Sequence, residues 1–326
     1  MMVFPTEASA VNGHQVGGAC DWPTTVALVD ERGMPVCSGT LIHPSLVVTS
    51  ARCMLEAPQS VVFGDNAFAS EWTLPLAGCI DNLTLFGGER VDLAVCQLAE
   101  PASDVPIVPI LMGCESEVLS HGTPTVIVGF GNSITSDTLG NYGAGPKRFG
   151  ELEVELVRED TAEVDLYDAF DGVCHGDWGG SAFVQLPDGT WRLFGAAKSI
   201  VYPAGHVIEP GFGNQCGDGA ISRYSLLSPL VEWMESETLA DLTPCFDSSG
   251  QWDPDDRCTP FPTDINSIRS TWREACVGAL GGEPTCGDFG GGSDTDSGEG
   301  GSSSTSGPTK GTGGTSESGP QNAEDS

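Results

Sequence analysis

The residues best placed for chemistry lie in Cys174-His175-Gly176-Asp177-Trp178-Gly179-Gly180, which sets an imidazole and a carboxylate on a glycine-rich turn. Between Asp177 and Gly179 stands the indole of Trp178. An indole N–H donates a hydrogen bond but has nothing with which to attack a carbonyl. Arg52, directly before Cys53, carries a guanidinium with a pKa above about 12, so it takes no proton from a hydroxyl near neutral pH. The histidines, His14, His43, His121, His175 and His206, are scattered. They make no recognisable metal-ligand set, and neither a metal nor another cofactor is expected.

The wider composition narrows the partners. The chain has 326 residues, with 13 Lys+Arg against 46 Asp+Glu and a formal net charge of -33. Such an excess repels nucleic acid and anionic membrane surfaces. Twelve Cys run from Cys20 to Cys286 without a CxxC pair, which argues for disulfides and an oxidising compartment over a zinc ribbon or a redox motif. No apolar run is long enough to span a membrane. Residues 1–10 end in Ala8-Ser9-Ala10, the small-residue pattern that precedes signal-peptide cleavage, and are expected to be a leader remnant.

The elements that must position this turn read as β-structure over residues 11–225. Thr25–Val29, Leu46–Thr49, Val91–Val95 and Thr125–Val128 are short apolar runs between Gly, Pro, Asn and Asp clusters. In Gly150–Val157, Glu151, Glu153 and Glu155 alternate with Leu152, Val154 and Leu156, so one face should be wet and the other buried. Many short strands without long helical patterns predict an all-β sandwich or barrel. Leu226–Glu237 predicts a helix with Leu227, Leu230, Val231 and Met234 on one side. Residues 239–290 hold four Cys and a short amphipathic stretch after Asp264, as expected of a disulfide-rich extension. Residues 291–326 are mostly Gly, Ser, Thr and acids, as expected of a disordered tail that cannot bury enough surface to offset chain entropy.

Three separated motifs then fall in order: Cys37-Ser38-Gly39-Thr40-Leu41-Ile42 leading to Val48-Thr49-Ser50-Ala51-Arg52-Cys53, then Val91-Asp92-Leu93-Ala94-Val95, then Gly176-Asp177-Trp178-Gly179-Gly180. Together they resemble the trypsin/chymotrypsin-like serine proteases (peptidase family S1), whose signatures read C-G-G-x-L-I…T-A-A-H-C, D-I-A-L and G-D-S-G-G-P. Val11-Asn12-Gly13, Gly129-Phe130-Gly131-Asn132 and Ile221-Ser222-Arg223-Tyr224 with Trp233 are similar to further family features. The resemblance covers residues 11–238. It implies two six-stranded antiparallel β-barrels and a C-terminal helix, followed here by the small Cys-containing extension and the tail.

Carried over residue by residue, the resemblance puts Arg52, Asp92 and Trp178 in the slots of the family's His, Asp and Ser, so only the acid is kept. It implies that Arg52 pairs with Asp92 in place of the imidazole, or else points to solvent. Gly176 and Asp177 keep the oxyanion-loop backbone. Asp177 is the family's partner for a freed amino terminus, here Ala10 or Val11, with local backbone donors as the alternative. Gly172 takes the floor of the specificity pocket, where a trypsin has an acid, and His175 its rim. Ser181 replaces the usual proline and would point away from the site.

The resemblance further implies the disulfides Cys37–Cys53 and Cys174–Cys216. Pairing among Cys20, Cys79, Cys96 and Cys114 stays open. So do the three connectivities of Cys245, Cys258, Cys276 and Cys286 within the extension. Asn82-Leu83-Thr84 is a glycosylation sequon.

The expectation is an extracellular or cell-surface serine-protease homologue with an inactive triad. It would bind a protein or peptide ligand or act as a scaffold, tethered or not through its tail. The alternative is an active endopeptidase with a shifted nucleophile, such as a Ser181/His175 dyad. A third reading makes the barrels a structural spacer.

Overall fold

The computed structural model describes residues 15–16, 21–69, 72–82, 85–86, 89–103, 105, 107–132, 144–169, 171–203, 219–253, 255 and 258. Runs rich in Val, Leu and Ile between turn residues fold as strands, since branched side chains suit a pleated, half-buried surface. The first half carries β1 (Gln15–Val16), β2 (Thr25–Val29), β3 (Pro35–His43), β4 (Leu46–Thr49), β5 (Ser60–Phe63), β6 (Trp72–Asp81), β7 (Leu85–Phe86), β8 (Glu89–Arg90) and β9 (Ala94–Leu98). The second carries β10 (Pro124–Gly129), β11 (Arg148–Arg158), β12 (Glu163–Tyr167), β13 (Ser181–Gln185), β14 (Trp191–Val201) and β15 (Ile221–Leu226).

Strands β2-β3-β4-β9-β6-β5 close on themselves as a six-stranded antiparallel barrel. Strands β11-β10-β13-β14-β15-β12 form the second, closed by the β11–β12 pairing, with β1 added on β11. Val26, Leu28, Leu41, Val61 and Phe63 fill the first barrel, and Ile127, Leu152, Val164, Val184 and Phe194 the second. A third cluster, with Ile42, Val48, Leu93, Val128, Phe183 and Met234, draws on both barrels and on the C-terminal helix. Closing each sheet removes its open edges.

Three details differ from the sequence reading. The strand expected at Val91–Val95 begins at Ala94, because Asp92 turns its carboxylate to donors on the turn after β4. On β11, Glu151, Glu153 and Glu155 are exposed and Leu152 and Val154 buried, but Leu156 is 48% exposed. A register shift between Val154 and Leu156 breaks the alternation there, as bulges do. The helix is shorter than expected: a 3-10 turn, Ser228–Leu230, leads into α1 (Val231–Thr238). Pro229 has no N–H, which a first turn does not need. Leu227, Leu230, Val231 and Met234 are all buried, as expected.

After α1, residues 239–253 fold back onto the domain. Cys245–Cys258 is a disulfide, and Cys245, Phe246 and Cys258 join the first barrel's core. Trp252 stacks over Arg192 at 4.5 Å, and Arg192 makes a fully buried two-pronged pair with Glu115 at 2.8 and 3.0 Å. Of the open pairings, Cys79–Cys96 joins β6 to β9. Among the described residues no helix is long and apolar enough to cross a membrane. The leader, Cys276, Cys286, the stretch after Asp264 and the tail lie outside the described residues.

Candidate functional site

Asp92 is half-buried at the seam between the barrels. Its Oδ2 accepts the Ser50 hydroxyl at 2.7 Å and its Oδ1 the Arg52 backbone N–H at 2.9 Å. The Ser225 hydroxyl donates to its carbonyl at 3.2 Å. Ser50 also caps the 3-10 turn Ala51–Glu56, accepting from the Arg52 N–H. The Arg52–Asp92 ion pair that the resemblance implied is therefore not formed. Both carboxylate oxygens are taken by donors on one turn, and Arg52 reaches Asp92 through its main chain. Its exposed guanidinium lies instead over the Trp178 ring, 4.8 Å from the centroid, a cation–π contact.

The Trp178 turn is held from both sides. The Ser38 N–H donates to the Trp178 carbonyl at 3.0 Å, and the Gly179 N–H to the Ala197 carbonyl at 2.8 Å. The Ser38 hydroxyl donates to the Gly176 carbonyl at 3.0 Å and accepts the Phe130 N–H at 2.9 Å. Gly179, at φ +80, packs so closely on β3 that an added Cβ would stand 2.5 Å from the Ser38 carbonyl oxygen, and only glycine suits it. The half-buried Trp178 ring packs against the cores of both barrels, with His175 edge-on at 5.9 Å. Neither the Gly176 nor the Trp178 backbone N–H has an acceptor among the described residues, whereas the Asp177 and Gly180 N–H groups bond within the turn.

Asp177 is 1% exposed. Its Oδ1 accepts the Gly131 N–H at 2.7 Å and its Oδ2 the Cys174 N–H at 2.9 Å, so local backbone donors engage it. A Cβ on Gly131 would stand 2.6 Å from the Asp177 amide nitrogen. Ala10 and Val11 lie outside the described residues.

Gly172 is buried, and beside it the Val173 N–H donates to the Ser222 hydroxyl at 3.0 Å. Burial pushes the Tyr224 phenol well above its ordinary range. Cys37–Cys53 forms as implied. Cys174 is disulfide-bonded, but Cys216 lies outside the described residues.

Ser181 is fully buried, with its hydroxyl 2.8 Å from Thr25 Oγ1 and 2.5 Å from Thr40 Oγ1. It faces the first barrel, whereas His175 is exposed on the turn, so the two do not form a dyad. Partial burial, with the Arg52 charge, lowers the His175 pKa. His43 accepts the Ser45 N–H through Nδ1 at 3.2 Å, and burial lowers its pKa against the pull of Asp241. Asn82 of the sequon is 2% exposed. No group of three or more His, Cys, Asp or Glu among the described residues could hold a metal.

Sequence reasoning missed Ser50, Ser225, Thr25 and Thr40, the hydroxyls that tie these pieces together. Ser50 gave a signal, standing as a cap before Ala51. The others pair across more than a hundred residues.

Comparison with known proteins follows the same outline. The family model described as Trypsin matches residues 11–214. Vitamin K-dependent protein C of Oryctolagus cuniculus is 25% identical over 242 residues, 66% of this chain and 49% of its own. The chain thus spans about half the length of that curated relative. Among solved structures, human heparin binding protein matches with a TM-score of 0.52 at 20% identity, over 68% of this chain and 94% of its own. At that identity the likeness speaks for the fold.

Proposed function

The chain belongs to the trypsin family, whose model spans more than half of it, and from that premise we propose that it is a secreted, catalytically silent member whose cleft binds a protein or peptide. One observation carries the reading: an indole and a guanidinium lie against each other where the family places its nucleophile and base. Neither can do that work. In a serine-protease triad, loss of the nucleophile or the base costs on the order of 10⁶ in turnover, and loss of both costs little more. Oxyanion donors and binding leave roughly 10³ to 10⁴ over water. The burial of Ser181 on Thr25 and Thr40 speaks against a shifted nucleophile.

Disulfides Cys37–Cys53, Cys79–Cys96 and Cys245–Cys258 support an oxidising, extracellular setting. The structural neighbour is named for heparin binding. That ligand class does not transfer, because a chain of net charge -33 repels a polyanion.

A fluorophosphonate probe tests the reading. The folded protein should stay unlabelled, and covalent labelling would refute it. Arg52→His with Trp178→Ser should gain labelling, because Asp92, Ser50 and the turn's backbone hold their places without either side chain.

A further inference from the structure

We propose that the Cys79–Cys96 disulfide is a redox latch: a dithiol reduces it in the folded protein, and the strand segment Ala77–Asp81 then lifts from β9 and loosens the hold on Asp92. Cys79 and Cys96 are direct register partners on β6 and β9. Their bond joins strands that a backbone ladder already joins, so the fold does not depend on it. The other two disulfides with both cysteines described differ in this respect. Cys37–Cys53 and Cys245–Cys258 link segments that no strand ladder pairs. All four of those residues lie in the first barrel's core cluster, each at 4% exposure or less. Neither Cys79 nor Cys96 belongs to that cluster, and Cys79 is only half-buried.

The segment that carries Cys79 is held from one side. β5 pairs with β6 as far as Pro75, so from Ala77 onward β9 is its strand partner among the described residues. That ladder is itself interrupted by a register shift between Leu76 and Gly78. Ala77, Gly78, Ile80 and Asp81 are exposed, and a Cβ built on Gly78 would meet nothing within 4 Å. An incoming thiolate therefore finds open surface beside Cys79, whereas Cys96 is fully buried. Exposed strand ends with few contacts open locally at the least free energy, and exposed disulfides are the labile ones.

The step is thiol–disulfide exchange. A thiolate of the dithiol attacks Cys79 Sγ, the S–S bond breaks, and Cys96 leaves as a thiolate. The second thiol of the reductant then displaces Cys79 and closes the reductant's own disulfide. Two electrons have passed to the protein, and each freed thiolate takes up a proton. The consequence reaches the seam through one hydrogen bond. Directly after the segment, the Asn82 N–H donates to the Leu93 carbonyl at 2.8 Å. Leu93 adjoins Asp92, whose Oδ1 accepts the Arg52 N–H at 2.9 Å. Lifting Ala77–Asp81 removes the Asn82 bond and, with it, part of what fixes Asp92 against the Arg52 turn. A redox change at the latch thus biases a second, local arrangement of the seam.

The test titrates the full chain with dithiothreitol under native conditions, traps free thiols with N-ethylmaleimide, and locates them by peptide mass spectrometry. Cys79 and Cys96 should be labelled together at a reduced-to-oxidised ratio at least about tenfold below that needed for Cys37, Cys53, Cys245 or Cys258, about 30 mV for a two-electron couple. In the selectively reduced protein, hydrogen exchange should quicken at the Asn82 and Arg52 amides, while β2 and β3 keep their protection. Cys79→Ser with Cys96→Ala should show the same quickened exchange without reductant. Reduction of all these cysteines together, or only with global loss of protection, overturns the latch. Selective reduction that leaves the Asn82 and Arg52 amides protected overturns the link to Asp92, as does a double variant with the parent's exchange. A double variant that does not fold overturns the claim that the ladder suffices, and the reduced parent still reads the two amides.

Discussion

Replacing Lys147 by Met should stabilise the protein at mildly acidic pH and flatten its stability at alkaline pH. Lys147 is fully buried, its Nζ donating to the Asp21 and Trp22 carbonyls at 3.2 and 3.1 Å with the Phe130 ring at 5.5 Å. Burial pulls its pKa from 10.5 to about 7, against the pull of Asp65 and Asp21. Below about pH 7 the folded and unfolded chains both hold the proton, and the folded state carries the full cost of a buried cation. Between about 7 and 10.5 only the unfolded chain stays protonated, so stability rises with pH across that window by up to about 1.4 kcal/mol per pH unit. The whole gap corresponds to an upper bound on the order of 5 kcal/mol. Lys147→Met removes that cost but gives up two hydrogen bonds, about 1 kcal/mol each. The expected net gain is about 3 kcal/mol near pH 6, vanishing towards pH 9. Urea unfolding of both proteins across this range measures it. Stability curves that stay parallel throughout would refute the buried, readily deprotonated amine. The residue bears on the site because Trp22, which it anchors, stacks on Phe183 at 4.6 Å, two residues into the strand that leaves the Trp178 turn.

Two further substitutions probe the polar contacts that join distant segments. Ser181→Ala should cost about 1–3 kcal/mol in unfolding free energy, since it strips the shared partner from two buried threonine hydroxyls; no loss of stability would show that Thr25 and Thr40 satisfy each other. Glu115→Gln should cost about 3–5 kcal/mol by leaving the Arg192 cation buried without its counter-charge; a melting temperature equal to the parent's would refute that, whereas replacing both residues with apolar ones of similar size should recover most of the loss.

Barrel strands were legible where a buried interior forces alternation, as at Leu152 and Val154, or a continuous apolar run, as at Thr25–Val29. Leu156 escaped because a bulge is a local main-chain event that leaves no mark on hydrophobic periodicity. At the site, the positions of Arg52, Asp92 and Trp178 followed from motif order, but their contacts did not. Whether Arg52 meets Asp92 depends on Ser50 having already taken an oxygen, and motif spacing does not encode that competition. Ser181 was placed correctly as facing away. Its partners on β2 and β3 lie 156 and 141 residues distant in sequence, and only the docking of one barrel on the other brings them together. The pairings Cys79–Cys96 and Cys245–Cys258 were open for the same reason.

What preserves the shape of the Trp178 turn is a set of atoms that the side chains of Arg52 and Trp178 do not supply. Asp177 grips the Gly131 and Cys174 amides. Ser38 ties the Gly176 carbonyl to the Phe130 amide, and Gly179 fits against the Ser38 carbonyl where a Cβ would not. Even Trp178 takes part in this frame through its carbonyl, which any residue would provide. Its side chain is free to be judged by packing alone, and it lies against both cores with a guanidinium on its face. Backbone, glycines and Asp177 therefore record the family, while the chemistry depends on side chains that the same frame tolerates changing.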